Sequence, residues 1–476
     1  MKQGRLLPLI VACALFIENM DSTAIATSLP MMARDLGTDP IALKLALTAY
    51  LLALAVFIPV SGWIADRFGA RRTFMAAIGV FLLGSLACAA CHSLETLVAA
   101  RFVQGMGGAL MVPVGRLVLL RAIPKSELVA AWSWLAIPAL VAPVLGPPLG
   151  GFITTYFHWR WIFGINLPMG MLGIELARRY IPDVREDVKP LDWRGFALSG
   201  FGLALAMFGF STLGRHLVSL PVALGCLAVG LAALIGYVVH ARRHPHPLLD
   251  LRLFRLPTFR AGVLGGGVFR VGIGAIPFLL PLMLQLGFGL DPLHSGLLTF
   301  ASAIGAIGMK TIATRVLKRF GFRDVLRFNA LVCAAMLAGY GLFRSSTPHA
   351  LIVGTLIVAG CFRSLQFTSL NAISFAEVEP AHMSQATSLS GMMQQFSLSL
   401  GVAVAGYALQ LVGWVTGHAP TAAASFGPAF VIVGALSGVS AWWMWRLPVD
   451  AGQELAGRAV PDEEIAQPQA AQRPAT

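Results

Sequence analysis

The sequence predicts an all-α membrane protein: two six-helix bundles plus two linking helices, about fourteen transmembrane helices in all. Three observations predict it: a composition unsuited to water, a series of apolar runs of spanning length, and a one-sided distribution of basic residues. The 476 residues are 57% hydrophobic and 12% charged, with a mean hydropathy of +0.75. Soluble domains carry about 25% charged residues. A chain with half that charge cannot cover its surface with polar groups, and lipid is the solvent that suits it.

A spanning helix needs about 20 apolar residues. Such runs occur at 6–29, 42–64, 73–91, 96–120, 127–152, 161–181, 195–214, 219–240, 260–288, 293–315, 325–344, 348–374, 386–416 and 425–446. The first is too long for a cleavable leader and has no small-residue cleavage site after it, so it is expected to be the first spanning helix. Runs nine, twelve and thirteen are long enough to tilt or kink, and Pro277 and Pro281 give run nine a cause.

The charge pattern orients these runs. With a cytoplasmic N-terminus, 25 of the 35 Lys and Arg residues fall in cytoplasmic segments, five fall outside (Arg34, Lys44, Arg160, Arg215, Arg344), and five lie within runs. That asymmetry predicts both termini inside and an even number of crossings. The formal net charge of +13 therefore reads as membrane topology, and no nucleic-acid partner is expected. The loop with Glu377 and Glu379 is an acidic exception on the inner side. Trp442, Trp443 and Trp445 are placed to anchor the last run at the headgroups. Residues after Arg446 are rich in Ala, Gln, Pro and Glu without apolar period, and are expected to be disordered. Cys13, Cys88, Cys91, Cys226, Cys333 and Cys361 all fall in or beside apolar runs without metal-ligand spacing, and read as apolar fillers. No metal or cofactor is expected.

The chain also repeats itself. Arg67-Phe68-Gly69-Ala70-Arg71 lies between runs two and three, and Arg319-Phe320-Gly321-Phe322-Arg323 lies between runs ten and eleven. Taking runs seven and eight as an insert, the order is six, two, six, and duplicated six-helix halves are a transporter signature. The divisions follow as 1–181, 182–259 for the linking helices, 260–446, and the tail 447–476.

The most specific motif is the loop from Gly62 to Arg72, with Asp66, Arg67, Gly69 and Arg71 inside it. Gly62 is expected to let helix two pack closely, Gly69 to make a tight turn, and Asp66 to accept charge-assisted hydrogen bonds beside three arginines. Such a network could latch one conformation; its alternative is a basic topology loop that merely turns. The pattern resembles the major facilitator superfamily, whose loop between helices two and three reads G-x-x-x-D-R-x-G-x-R-R. Further matches resemble that family's fourteen-helix drug/proton antiporter branch: Arg101-Phe102-Val103-Gln104-Gly105-Met106-Gly107, the antiporter motif around Gly146-Pro147 and Gly150-Gly151, Met20 to Pro30 in helix one, Trp159 to Pro168 before and into helix six, and Leu249 to Arg255 before helix nine. Two positions depart from the pattern, Ala142 for Gly in the antiporter motif and Ala26 for Asn in helix one. The resemblance implies a major-facilitator-type fold, a bacterial inner (plasma) membrane, and efflux of small molecules.

Charges inside runs each need a partner or a function. Glu18 and Asp21 stand three residues apart on one face of helix one. Two nearby carboxylates in a low dielectric do not both ionise easily, so one is a candidate to bind and release a proton. Asp21 and Arg101 lie at similar depths at about 1.5 Å per residue, and are expected to pair in one state and part on protonation; the alternative is a permanent structural ion pair. Helix five carries Pro138, Pro143, Pro147 and Pro148 with Gly146, Gly150 and Gly151, a composition that can bend and touch a neighbour. The second half carries Arg270, Lys310 and Arg363 with no carboxylate inside a run. Lys310 is expected to snorkel to the surface. Arg270 and Arg363, with Gln366, Asn371 and Gln394, are candidates for a substrate cavity suited to anions; alternatively the two arginines bond backbone carbonyls or lipid phosphates.

The expectation is a proton-coupled secondary transporter that exports small amphipathic molecules, functional as a monomer, with organic anions such as carboxylates or their metal chelates as the alternative cargo. No G-x-x-x-x-G-K-[ST] loop supports nucleotide drive. The ten histidines are scattered, which argues against a polytopic enzyme.

Overall fold

A computed structural model describes residues 3–122, 128–182, 190–213, 218–379, 382–448 and 451–453. The tail expectation falls almost wholly on residues outside this set. Among the described residues there are no strands, and twelve helices are long and apolar enough to cross a bilayer. With the helix Leu128–Tyr156 and the paired segments Trp161–Gly164 and Asn166–Tyr180, the described residues hold about fourteen segments of this kind. In lipid only helices satisfy every backbone group within one segment, which is why apolar runs of this length take this form.

In chain order these are α1 (Gln3–Ala24, continued by a 3-10 turn Ile25–Ser28 into Leu29–Asp35), α2 (Lys44–Phe68), α3 (Ala70–Ala90), α4 (Leu94–Ala122), α5 (Leu128–Tyr156), α6 (Trp161–Gly164 with Asn166–Tyr180), α7 (Trp193–Thr212) and α8 (Leu220–Arg243). They continue as α9 (Pro257–Gly287), α10 (Pro292–Phe320), α11 (Phe322–Gly339), α12 (His349–Ile373), α13 (Met383–Thr416) and α14 (Ala423–Trp445).

Two helices depart from regularity for visible reasons. α1 tightens at Ile25–Ser28, because Pro30 has no N–H for the carbonyl one turn earlier. The carbonyl of Thr27 in the same turn accepts from Gln285 Nε2 of α9, at 2.7 Å. α9 contains π-helical stretches at Ala261–Gly265 and Met283–Gly287, with Pro277 and Pro281 between them. Its first turn is capped by Glu377, whose Oε2 accepts from Thr258 N at 3.1 Å and Thr258 Oγ1 at 2.8 Å. The acidic loop that broke the charge pattern is a helix cap.

The packing repeats. Within α1–α6 the principal pairs are α1 with α5 and α6, α2 with α4, and α3 with α4 and α6. Within α9–α14 the same pairs recur eight helices later: α9 with α13 and α14, α10 with α12, and α11 with α12 and α14. The two sets meet through α5 against α10 and α2 against α13, pairs exchanged by the same relation. The duplicated loops also share a backbone form, with Gly69 at φ 94° and Gly321 at φ 81° each ending one helix and starting the next. α7 and α8 pair with one another outside this arrangement, and α7 touches α2 and α13.

The cores show where the two sets are joined. At the end opposite the termini, one continuous core takes in Leu29, Leu43 and Phe163 from the first set and Phe278, Leu282 and Phe426 from the second. Toward the termini, Val11, Phe74 and Phe81 belong to one core, while Phe269, Phe322 and Ile373 belong to another. A lateral cluster packs Leu203 and Tyr237 of the linking helices against Val56 and Leu389.

Candidate functional site

A central cavity of about 500 Å³ lies between the two sets, with walls from α1, α2, α4, α5, α9, α10, α12 and α13. Its lining is mostly apolar, including Leu51, Pro143, Ile273 and Pro281, with Thr23, Thr27 and Tyr50 as polar points. Arg101, Lys310 and Arg363 also line it, and among the described residues no carboxylate does. Ile307 and Lys310 of the α10 wall are exposed, so the cavity is not fully enclosed.

Behind the Tyr50 wall lies a buried polar network. Arg101 Nη1 donates to Asp21 Oδ2 at 2.5 Å and to Gln104 Oε1 at 2.6 Å. Gln104 Nε2 donates to Asp21 Oδ1 at 2.9 Å and Ser85 Oγ at 2.7 Å. Asn166 Nδ2 also donates to Asp21 Oδ1, at 2.8 Å. Asp21, Arg101, Gln104 and Asn166 are each 0% exposed. A charge held away from water needs a partner and filled hydrogen-bond sites, and Asp21 has one cation and two amides. The Tyr50 ring covers the guanidinium, with Arg101 Cζ 4.2 Å from its centroid, and the Tyr50 hydroxyl donates to Glu18 Oε1 at 3.3 Å. Tyr50 thus stands between the two helix-one carboxylates, touching the partner of one and bonding the other.

Small residues bring these helices close enough for the network. A Cβ on Gly84 would collide with the Gln104 backbone, and one on Gly107 with the backbone of Phe81. Tyr50 and Ser85 were not among the sequence candidates. The available signal was small-residue spacing in α3 and α4, which marks close approach but not which hydroxyl sits across it.

The antiporter-motif glycines lie at two interfaces. A side chain on Gly146 would strike Thr23, and one on Gly150 would strike the Ala24 carbonyl, both on α1. Gly151 faces the Pro292 carbonyl of α10, and Gly296 of α10 faces the Pro147 carbonyl in return. Leu293 N donates to Thr155 Oγ1 across the same contact at 3.2 Å, and Ser28 Oγ and Thr154 Oγ1 lie 2.5 Å apart. Ala142, where the pattern has Gly, is fully buried. At the same end Asp35 accepts from Trp159 Nε1 at 3.0 Å and Arg160 Nη1 at 2.7 Å.

The loop expected to act as a latch lies at the termini end. Gly69 makes the turn with positive φ, Asp66, Arg71 and Arg72 all take part in polar or electrostatic contacts, and Arg67 is exposed. Gly62 differs from expectation: a Cβ there would meet nothing within 4 Å, so it makes no close helix contact in this conformation.

The candidate cavity residues of the second half divide. Arg363 lines the cavity and donates to Ser302 Oγ at 3.2 Å. Arg270 does not line it; its Nη2 donates to Asn371 Oδ1 at 2.8 Å and its Nη1 to the Gly262 carbonyl at 3.4 Å. The carbonyl alternative therefore holds for Arg270, because the irregular start of α9 presents an acceptor within reach. Gln366 is buried against Asn329 of α11, at 3.0 Å, rather than facing the cavity. Asn371 is spent on Arg270, and Gln394 is half-buried outside the lining. Lys310, expected to snorkel, is exposed and lines the cavity.

Two matched helical sets around a central cavity, joined by a Gly/Pro-rich contact and traversing a bilayer many times, define a multi-pass membrane transporter rather than an enzyme. The chain belongs to the Major Facilitator Superfamily, whose model matches residues 11–402 and, in a second match, 262–472. It is 38% identical over 407 residues to the Salmonella typhi protein named multidrug resistance protein MdtD, covering 85% of this chain and 86% of that one. The protein of the same name from Serratia proteamaculans (strain 568) is 38% identical over 400 residues, covering 83% of each. Among solved structures, a D-xylose-proton symporter superposes with a TM-score of 0.66 at 14% identity, covering 93% of this chain and 98% of that one. The nucleoside transporter NupG gives a TM-score of 0.60 at 15% identity, covering 94% of this chain and 100% of that one. At such identities the structures speak for the fold alone. The family implies a small-molecule substrate and a membrane environment.

Proposed function

We propose that this chain is a proton-coupled exporter of small amphipathic molecules, working by alternating access as a monomer in a bacterial inner membrane with both termini cytoplasmic. The moving bodies are 1–181 and 260–446, tied by the linking helices of 182–259. The observation that carries the reading is the Asp21–Arg101 pair, 2.5 Å apart in a buried network beside the cavity. A proton arriving at Asp21 neutralises the acceptor that holds Arg101, Gln104 and Asn166 together, so protonation and helix position are linked. Glu18, reached from the same network through Tyr50, is the second proton site. The described state is sealed at the end opposite the termini and so corresponds to a carrier facing the cytoplasm. The names of the relatives add support for drug-like cargo.

The second reading, export of organic anions such as carboxylates or their metal chelates, is favoured by the wall itself. It offers Lys310 and Arg363 and, among the described residues, no carboxylate, while Arg101 is held in its ion pair with Asp21.

The test is a transport assay in everted vesicles with an acid interior, using a panel of cationic dyes and organic acids. Adding a true substrate releases lumenal protons, read by a pH-sensitive dye. Asp21→Asn is expected to abolish that release; release at the wild-type rate would overturn the coupling assignment. Movement of cations alone would remove the anion reading.

A further inference from the structure

We propose that Asp192, His240 and His244 form a binding site for a divalent transition metal of the zinc class, at the termini end of the α7–α8 hairpin. Asp192 is distant in sequence from His240 and His244, and the three come together because the hairpin is antiparallel. Asp192 caps the start of α7, with Oδ1 accepting from Gly195 N at 2.8 Å. His240 lies in the last turn of α8, and His244 follows one turn later at the helix end. Residues four apart share a helix face, and the two imidazole centroids are 5.1 Å apart. One ligand atom from each of the three residues falls within 4.8 Å of the others.

The donor set has the right chemistry. Two imidazoles with one carboxylate suit zinc, nickel, cobalt or copper, whereas magnesium and calcium prefer oxygen alone. Zinc ligands at about 2.0–2.1 Å in tetrahedral geometry stand about 3.4 Å apart. His240 Nε2 and Asp192 Oδ1 are now 2.8 Å apart, so the metal displaces the proton between them and opens that gap by about half an ångström. The carboxylate is already oriented for this by Gly195 N and by Leu248 N, which donates to Oδ2 at 3.2 Å, the kind of outer support that fixes metal ligands. Arg242 and Arg243 are exposed.

Helix capping alone would need Asp192, and one hydrogen bond would account for His240. Neither role requires His244, so that residue separates the two accounts. A bound metal would tie the start of α7, the end of α8 and the segment that leads into α9. That segment is already held by Tyr237, whose hydroxyl donates to the Leu249 carbonyl at 3.0 Å and accepts from Leu249 N at 2.8 Å.

The test uses the full chain in detergent, stripped of metal and freed of any histidine tag. Zinc is titrated in competition with a chromophoric indicator, and cobalt(II) is followed by its visible absorption. One equivalent of zinc and an intense tetrahedral cobalt band are expected. His244→Ala and His240→Ala should each weaken binding about tenfold or more, while His246→Ala should not. Absence of stoichiometric binding, or wild-type binding by His244→Ala, overturns the proposal. If His240→Ala fails to fold, His244→Ala and the cobalt band decide it alone, since the bond that His244 Nδ1 accepts from His246 N, at 3.2 Å, is an exposed turn contact.

Discussion

Three side chains from two other helices converge on Asp21. One oxygen meets the Arg101 guanidinium and the other meets two side-chain amides. Breaking a buried pair from one side strands a charge and costs about 3–5 kcal/mol. Arg101→Ala is therefore expected to lower the thermal midpoint sharply and to lose transport. Arg101→Lys keeps the charge but not the planar guanidinium whose Nη1 donates to both Asp21 and Gln104 while its face lies on Tyr50. We expect it to fold while proton-driven transport falls about tenfold or more, measured in the same vesicles; wild-type transport by this variant would show that charge alone is enough. Glu18 and Asp21 could be singled out from sequence because acids in a spanning run are costly. Tyr50 and Ser85 could not, since hydroxyls in apolar runs are common and their partners come from other helices.

At the scale of the element, α5 and α10 carry the argument. The α5 glycines are faces of contact with α1 and α10, while Gly62 of α2 meets open space. Gly150→Ala should lower the thermal midpoint, because the added carbon meets the Ala24 carbonyl, whereas Gly62→Ala should leave it within the range of a neutral surface change, about 0.5 kcal/mol. Equal effects from the two would mean that α5 and α1 part readily. α10 starts at Asp291, which accepts from His294 N at 2.9 Å and pairs with the His294 ring at 2.5 Å. Burial alone would raise its carboxyl, but the His294 N–H and ring outweigh it and hold Asp291 below the usual carboxylate range. A group lowered in this way stabilises the fold above its unfolded value, about pH 4, and that stabilisation is lost as pH falls through the folded value. Asp291→Ala should cost about 1 kcal/mol near neutrality, and the difference in melting from wild type should narrow below about pH 4.

For the whole molecule, the exchanged pairs α5–α10 and α2–α13 make the two sets a matched couple around one cavity. The contact between Leu293 N and Thr155 Oγ1 at the far end must break for the cavity to open there. A pair of cysteines at Thr155 and Leu293, in a background without the six native cysteines, should cross-link on oxidation and stop transport, with recovery on reduction. Continued transport by the cross-linked protein would show that the far end does not open along α5 and α10.

By itself the sequence determined the solvent, the approximate number of spanning helices and the repeat, because lipid makes run length and backbone satisfaction nearly the whole of the problem and a duplicated turn keeps its glycine. It also marked Asp21, Arg101 and the α5 glycines, since charge and missing side chains inside a spanning run are costly unless used. The tertiary structure decided everything that depends on which way a helix is turned. It moved Arg270, Gln366 and Asn371 out of the cavity list, put Lys310 into it, left Gly62 without a neighbour, and set Asp192 against His240. A helix uniformly apolar around its circumference gives no periodic signal of its inner face, so only the packing of one helix on another chooses which side chains meet.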